Sequence, residues 1–141
     1  MLFHYREMKT MTDMQKCTQL VNDYAKLVHT QDRASFDKVF SQQADCFLIA
    51  IDRVFQGRES IYEDFLIGGM RALYSDIQLI TDSLEITPVS ENVMRMVFGY
   101  HTECIRRDNG AFDGIKGVET QIAIREDGQW RLVHVHYSKR V

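Results

Sequence analysis

The chain has 141 residues, enough for a single domain with its own core, and its 45% hydrophobic and 26% charged residues are typical of a globular protein. Its formal net charge of −3 argues against a nucleic-acid-binding surface, which requires a basic excess. No apolar run approaches the roughly 20 residues of a membrane span, and Arg6, Glu7 and Lys9 interrupt the apolar stretch that a signal peptide would need.

The first half of the chain has helical periodicity. Thr12 followed by Gln15 forms a capping-box pattern, which predicts that a helix begins there. We therefore interpret residues 1–11 as an N-terminal extension and residues 12–141 as one domain. Apolar side chains then recur every three or four residues and predict one buried stripe on a helix over residues 13–30, formed by Cys17, Leu20, Val21, Tyr24, Leu27 and Val28.

Shorter elements follow this helix. Asp32 can cap a second, short helix, and the apolar run at residues 46–51 predicts a strand that pairs with Val54-Phe55 in a hairpin. A third helix is predicted from about Arg58. The Gly68-Gly69 pair is expected to end it, because glycine favours helix termini.

The second half has the pattern of long strands, which we place at residues 75–87, 92–106, 115–125 and 129–138. Turn sequences such as Asn109-Gly110 and Asp127-Gly128 separate these segments, and short turns between consecutive strands predict an antiparallel meander. Helices followed by strands indicate an α+β fold. Strands of this length must twist, so the sheet is expected to curve around the first helix.

The cysteine pattern bears on cofactors and on the cellular compartment. Cys17, Cys46 and Cys104 are dispersed, so neither a Cys-x-x-Cys site nor a disulfide framework is indicated. Core-like residues flank all three, as expected of buried thiols in a reducing compartment. The sequence therefore predicts a cytoplasmic protein without a cofactor or a structural metal.

In this order of elements, the chain resembles the nuclear-transport-factor-2-like superfamily, which includes ketosteroid isomerase and the SnoaL-like polyketide cyclases. The segment 54–61, Val-Phe-Gln-Gly-Arg-Glu-Ser-Ile, resembles the lead-in to the third helix of that superfamily. Residues 117–138 resemble the last hairpin of the association domain of calcium/calmodulin-dependent protein kinase II and of its stand-alone bacterial relatives. The shared features are Glu119-Thr120, Asp127-Gly128, Trp130 and the His134-x-His136-x-Ser138 ending.

The resemblance implies a cystatin-like cone, in which helices pack into a highly curved antiparallel sheet that encloses a pocket. It also implies homodimers or larger rings. In the kinase domain several arginines occupy the pocket floor, and the matching positions of this chain hold His101, Gln121 and Tyr137. Because these side chains are nearly neutral, they favour hydrogen bonding over binding of an anion by arginine.

Strand alternation identifies the side chains that would share this pocket, because residues two apart point to the same face. If Tyr137 points inward, the predicted ligand-binding set is Tyr24, His101, Glu103, Glu119, Gln121 and Tyr137. His101 could transfer a proton, and Glu119 or Glu103 could act as a base whose pKa burial raises. Alternatively, arginines such as Arg95 or Arg125 pair with the carboxylates, and His101 is a structural wall residue.

The opposite face of the last strand suggests an interface. If Tyr137 points inward, Trp130, His134 and His136 lie together on the convex face, where aromatic and imidazole groups are typical of a contact between subunits. The two histidines could instead share a metal, but the sequence offers no obvious third ligand. We therefore predict self-association through this surface and no metal.

Three functions remain open from the sequence. The first is a homo-oligomeric domain that binds a small molecule. The second is an isomerase, dehydratase or cyclase that acts on a small carbonyl compound by acid/base catalysis, with His101 and Glu119 as catalytic candidates. The third is a non-catalytic oligomerisation module. An open cavity with an unpaired titratable group would favour the enzyme, whereas a collapsed cavity would favour the module.

Overall fold

A computed structural model describes residues 11–141 of the chain, so the predicted N-terminal extension lies almost wholly outside the described residues. The elements in chain order are α1 (Asp13–Thr30), α2 (Arg33–Val39), β1 (Phe47–Ala50), β2 (Arg53–Gln56), α3 (Ser60–Arg71), β3 (Tyr74–Ser90), β4 (Val93–Arg106), β5 (Phe112–Asp113), β6 (Lys116–Glu126) and β7 (Gln129–Tyr137). Within residues 11–141, no helix is long and apolar enough to cross a bilayer.

Local capping sets the two N-terminal helices. Thr12 accepts a hydrogen bond from the Gln15 amide and the Gln15 side chain bonds back to Thr12, which confirms the predicted capping box. Gln31 ends α1 in the left-handed conformation, and Asp32 caps α2 through the Ser35 amide. The stripe predicted for α1 is its buried face.

The sheet has the strand order β2-β1-β7-β6-β4-β3, with β5 added to β4, and it does not close. The predicted β1–β2 hairpin and the long meander are confirmed. One pairing departs from the expected antiparallel pattern, because β1 runs parallel to β7. The predicted strand 75–87 is longer in the structure and includes Pro88, which is tolerated because β3 is an edge strand.

The core lies between the helices and the concave face of this curved sheet, which confirms the α+β class. Even-numbered residues of β4 form one continuous inward row, Met94, Met96, Phe98 and Tyr100. From the helices, Tyr24 packs edge-on to Phe40, with ring centroids 6.2 Å apart. The face of each strand that carries this row decides which polar side chains can reach the interior.

Helix α3 does not end at its glycines. It is a π-helix that continues through Gly68 and Gly69 to Arg71, so the predicted termination at the glycine pair is wrong. A Cβ at Gly68 would lie 3.0 Å from the carbonyl oxygen of Glu63, five residues earlier. The missing side chain thus permits the close backbone approach of this wide helix.

A β-bulge in β7 changes which of its residues point inward. Ile122 of β6 pairs with His134 but Ala123 pairs with Leu132, so Val133 has no partner on β6. Trp130 and Leu132 consequently face the core, with 6% and 0% exposure, although Trp130 was expected on the convex face. The Trp130 indole donates to Asp13, 3.2 Å away, which fixes β7 to the start of α1.

Candidate functional site

A cavity of about 210 Å³ lies between α1, α3 and the concave side of the sheet. Glu119 is the one acidic residue among the described residues of its lining. It lies on β6 between Phe98 of β4 and Tyr137 of β7, its cross-strand neighbours. Because Glu119 and Gln121 are two residues apart on one strand, both side chains point to the interior, as predicted.

Glu119 is a buried carboxyl without a cationic partner. It is 2% exposed, and no lysine, arginine or histidine among residues 11–141 lies within 4 Å of its oxygens. Burial raises the pKa of Glu119 to about 8, opposed only by a hydrogen bond from Gln121. The predicted alternative of an arginine partner is not observed, because Arg125 pairs with Asp13 at 2.8 Å.

Gln121 holds one oxygen of this carboxyl. Its Nε2 donates to Glu119 Oε2 at 2.7 Å, and the Gln121 side chain is completely buried. Its own Oε1 accepts no hydrogen bond from the described residues. The pair therefore contains fewer hydrogen bonds than two buried polar groups normally form, which makes the ionised state of Glu119 costly.

Phenol groups surround the carboxyl. Tyr24 and Tyr137 line the cavity with Tyr100, whose ring centroid lies 6.0 Å from that of Tyr137. Burial raises the pKa of all three hydroxyls, that of Tyr100 to about 12, so each remains a neutral hydrogen-bond donor at physiological pH. Tyr100 donates to the carbonyl oxygen of Ser138 at 2.6 Å, whereas the hydroxyls of Tyr24 and Tyr137 have no partner among the described residues.

The remaining wall is mostly apolar, and its exposed members mark the entrance. The buried part includes Phe65 of α3 and Ile77 of β3. Exposed lining residues are Ile51, Gly114 and Lys139, which come from three different chain segments. The cavity thus suits a small, largely apolar molecule with one polar end directed at Glu119.

His101 and Glu103 do not reach the cavity. Since the inward row of β4 has even numbers, these two side chains lie on the opposite face, and His101 Nδ1 contacts the carboxylate of Asp82 at 2.8 Å. Of the predicted ligand-binding set, Tyr24, Glu119 and Tyr137 line the cavity and Gln121 supports Glu119. The prediction assigned the odd-numbered residues of β4 to the inner face, whereas the even-numbered residues point inward.

Four polar residues of the lining were not predicted from the sequence: Tyr74, Tyr100, Thr102 and Lys139. The signal for Tyr100 and Thr102 was present, because the apolar row of β4 before them requires that residues 100 and 102 point inward. Nothing in the sequence marked Lys139, since it follows the last predicted strand.

His134 and His136 lie outside the cavity on β7. Burial and the neighbouring His136 lower the pKa of His134, so the His134 imidazole favours the neutral state at pH 7. His136 Nε2 lies 3.3 Å from the carbonyl oxygen of Ile51. In the described part of the chain, no group of three histidine, cysteine or acidic side chains converges as metal ligands would.

A family model for the SnoaL-like domain matches residues 9–136, nearly the whole chain. The chain belongs to the SnoaL-like domain family. The resemblance to the nuclear-transport-factor-2-like superfamily is thereby confirmed. The family match covers the helices, all strands but the last residue of β7, and every lining residue of the cavity except Tyr137 and Lys139. No curated protein matches this SnoaL-like chain in sequence.

Solved structures with the same fold include three informative neighbours. A nuclear-transport-factor-2-like superfamily protein from Salmonella enterica is 28% identical, with 90% of each chain covered and a TM-score of 0.84. A hexachlorocyclohexane dehydrochlorinase from Novosphingobium barchaimii is 14% identical, covering 89% of this chain and 85% of that one, with a TM-score of 0.78. A Xanthomonas campestris protein named for the calcium/calmodulin-dependent protein kinase II association domain is 14% identical, covering 92% and 89%, with a TM-score of 0.76.

Proposed function

We propose that this SnoaL-like domain binds a small, largely apolar carbonyl compound in its cavity and transfers a proton of that compound through Glu119. The observation that carries the proposal is a carboxyl in an apolar cavity, 2% exposed and without a cationic partner among residues 11–141, whose pKa burial raises to about 8. A carboxyl that served only the fold would be stabilised by a charged partner or by several hydrogen bonds.

The raised pKa suits a general base. At pH 7 a group with a pKa of about 8 is ionised in roughly one molecule in ten, but the ionised form is a far stronger base than an ordinary carboxylate. It would remove a proton from the carbon next to the carbonyl group. The resulting enolate oxygen would accept hydrogen bonds from Tyr24 and Tyr137, which stay protonated.

The outcome depends on where the proton goes next. Protonated Glu119 can return it to another carbon, which is an isomerisation, or the enolate can expel a leaving group, which is an elimination such as dehydration. Enolate attack on a second carbonyl would be a cyclisation. The dehydrochlorinase among the structural neighbours is named for an elimination, which supports this reaction class.

Binding without turnover is the alternative function. It requires the same cavity but no titratable group with a perturbed pKa, so the unpaired Glu119 favours proton transfer. A pure oligomerisation module is less favoured because it has no need of an open cavity of about 210 Å³.

The test is exchange of the protons next to the carbonyl group of small cyclic ketones in deuterated buffer, followed by NMR. This assay detects proton removal whatever step follows it. We expect the wild type to accelerate exchange for at least one ketone and Glu119→Gln to lose that acceleration. Equal exchange rates for the two proteins would rule out the proposed role of Glu119.

Self-association through the convex face of the sheet remains a separate proposal. Half-buried Ile122 of β6 pairs there with His134, whose imidazole favours the neutral state because burial lowers its pKa, and His136 belongs to the same patch. Trp130 is not part of it, because it lies in the core. We expect His136→Glu to lower the mass measured by sedimentation, and a wild type that is monomeric at micromolar concentration would contradict the proposal.

A further inference from the structure

The chain after β7 continues along the mouth of the cavity. Although β7 ends at Tyr137, the Ser138 amide donates to the Val118 carbonyl at 2.9 Å, and the Arg140 amide donates to the Lys116 carbonyl at 2.7 Å. The backbone therefore extends the ladder with β6 for three further residues. Tyr100 also anchors this segment through its bond to Ser138.

This extended ladder fixes the direction of Lys139. Tyr137 faces the cavity and Ser138 the opposite side, so alternation returns Lys139 to the side of Tyr137. Its partner across the ladder is Gly117, where a Cβ would lie 2.1 Å from the Ser138 carbonyl oxygen and 3.3 Å from Lys139 Cα. Since residue 117 has no side chain, the segment carrying Lys139 passes directly over β6.

Lys139 is the one cation among the described residues that line the cavity, and no acidic side chain within residues 11–141 lies within 4 Å of its ammonium group. Lys139 is exposed at the mouth of the cavity, whereas Glu119 is 2% exposed. The cation and the carboxyl therefore lie at different depths of the same cavity.

We propose that Lys139 is a specificity residue that binds a carboxylate at the cavity mouth, so that the substrates are small apolar carboxylates with their carbonyl group at the far end. This inference rests on the proposed function, whose reacting end is Glu119. The cavity can hold roughly the volume of seven liquid water molecules. That space fits a molecule with a single ring between the two polar ends.

The polarity of the two ends is complementary to such a molecule. Glu119 is mostly protonated at neutral pH and then does not repel an anion. Among the lining residues that the structure describes, the ammonium group of Lys139 at the mouth then carries the only formal charge. A carboxylate there would stay partly hydrated, because Lys139 is exposed. A neutral compound of the same shape would bind through the apolar wall alone.

Two matched probes test the inference. We would compare 4-hydroxyphenylacetate with its neutral amide, 4-hydroxyphenylacetamide, whose phenol groups imitate an enol at Glu119. A partly exposed ion pair predicts that the wild type binds the carboxylate up to about fivefold more tightly. Lys139→Met should remove this preference without weakening the amide, Lys139→Arg should retain it, and added salt should reduce it.

Three outcomes would overturn the inference: equal affinities in the wild type, a preference that survives in Lys139→Met, or no binding of either probe at millimolar concentration. Comparing probe binding with proton exchange, in the wild type and in Glu119→Gln, distinguishes failure of this inference from failure of the proposed function. A carboxylate preference without any proton exchange in the wild type would refute only the catalytic role. Proton exchange that depends on Glu119, without a carboxylate preference, would refute only the role of Lys139.

Discussion

The two ends of strand β6 carry buried glutamates in opposite electrostatic states. Glu126, 7% exposed, accepts hydrogen bonds from the Ser41 hydroxyl and, at 3.1 Å, from the Gln42 amide. Burial would raise its pKa, but these bonds and the charge of Arg131 outweigh burial and lower it. Glu119, 2% exposed, has one hydrogen bond from Gln121, and burial raises its pKa to about 8.

The difference shows that burial alone does not decide whether the pKa of a glutamate is raised or lowered. At the Glu126 end, side chain and backbone donors of the loop after α2 surround the carboxylate and fasten that loop to the sheet. Glu119 instead borders the cavity and accepts a hydrogen bond from Gln121 alone among the described residues. A carboxyl left short of partners next to an open cavity is typical of a reactive group, whereas a saturated one is typical of a structural group.

The largest expected effect is a difference in activity between variants of the two glutamates. Glu119→Gln should lower ketone proton exchange by about a thousandfold, because it removes the base. Glu126→Gln is the matched control, since it makes the same chemical change on the same strand, and should leave the rate within about threefold where the variant is folded. Equal losses in the two variants would show that the cavity carboxyl has no special role.

Stability should respond in opposite directions. Below pH 4.5 Glu119 is protonated in both states and costs nothing, but between pH 4.5 and about 8 the unfolded chain ionises first, so wild-type stability falls with rising pH. We expect Glu119→Gln to raise the free energy of unfolding at pH 9 by about 3 kcal/mol, after some loss for a buried amide. Glu126→Gln should instead lower it by about 1–2 kcal/mol at the same pH.

Urea unfolding at pH 5 and at pH 9 measures both changes. The gain from Glu119→Gln should be small at pH 5 and nearly complete at pH 9. A gain that does not depend on pH would mean that packing, and not ionisation, distinguishes the two ends.

A smaller effect is expected from removing Gln121, the only hydrogen-bond donor to Glu119 within residues 11–141. Gln121→Met keeps the side-chain length but deletes the hydrogen bond that favours the ionised form, so the pKa of Glu119 should rise by about one unit. The infrared band of the protonated carboxyl, followed against pH, reports this shift. Gln43→Met is a control, because the Gln43 side chain bonds to exposed Asp127 on the surface. An unchanged pKa in Gln121→Met would contradict the described pairing.

The smallest effect concerns the outer face. His101→Ala should change ketone exchange by less than about twofold, because His101 faces away from the cavity and contacts Asp82. The ketone proton-exchange rate of this variant tests whether His101 lies outside the cavity. A loss comparable to that of Glu119→Gln would restore His101 as a catalytic group and contradict the observed strand alternation.

Much of the fold follows from local sequence signals. Thr12 and Asp32 mark helix starts because their side chains satisfy free backbone amides, and the Asp127-Gly128 turn fixes the last hairpin. Glu119 and Gln121 were predictable as a pair because alternation on one strand needs no register information. Their shared inner face is confirmed.

The remaining site residues depended on information that the sequence does not carry locally. The bulge at Val133 reverses alternation within β7, which moves Trp130 into the core although Tyr137 still points inward. The π-helical course of α3 likewise depends on packing of its backbone rather than on periodicity. Lys139 enters the lining only because the chain after β7 continues its ladder over Gly117.

The protonation state of Glu119 is the claim on which the proposed function depends, and titration of the Glu119 carboxyl carbon by NMR measures it directly. Glutamate labelled with carbon-13 should give one signal that is absent from Glu119→Gln and that titrates with a midpoint near pH 8. A midpoint between pH 4 and 5, the ordinary range of a glutamate, would contradict the account.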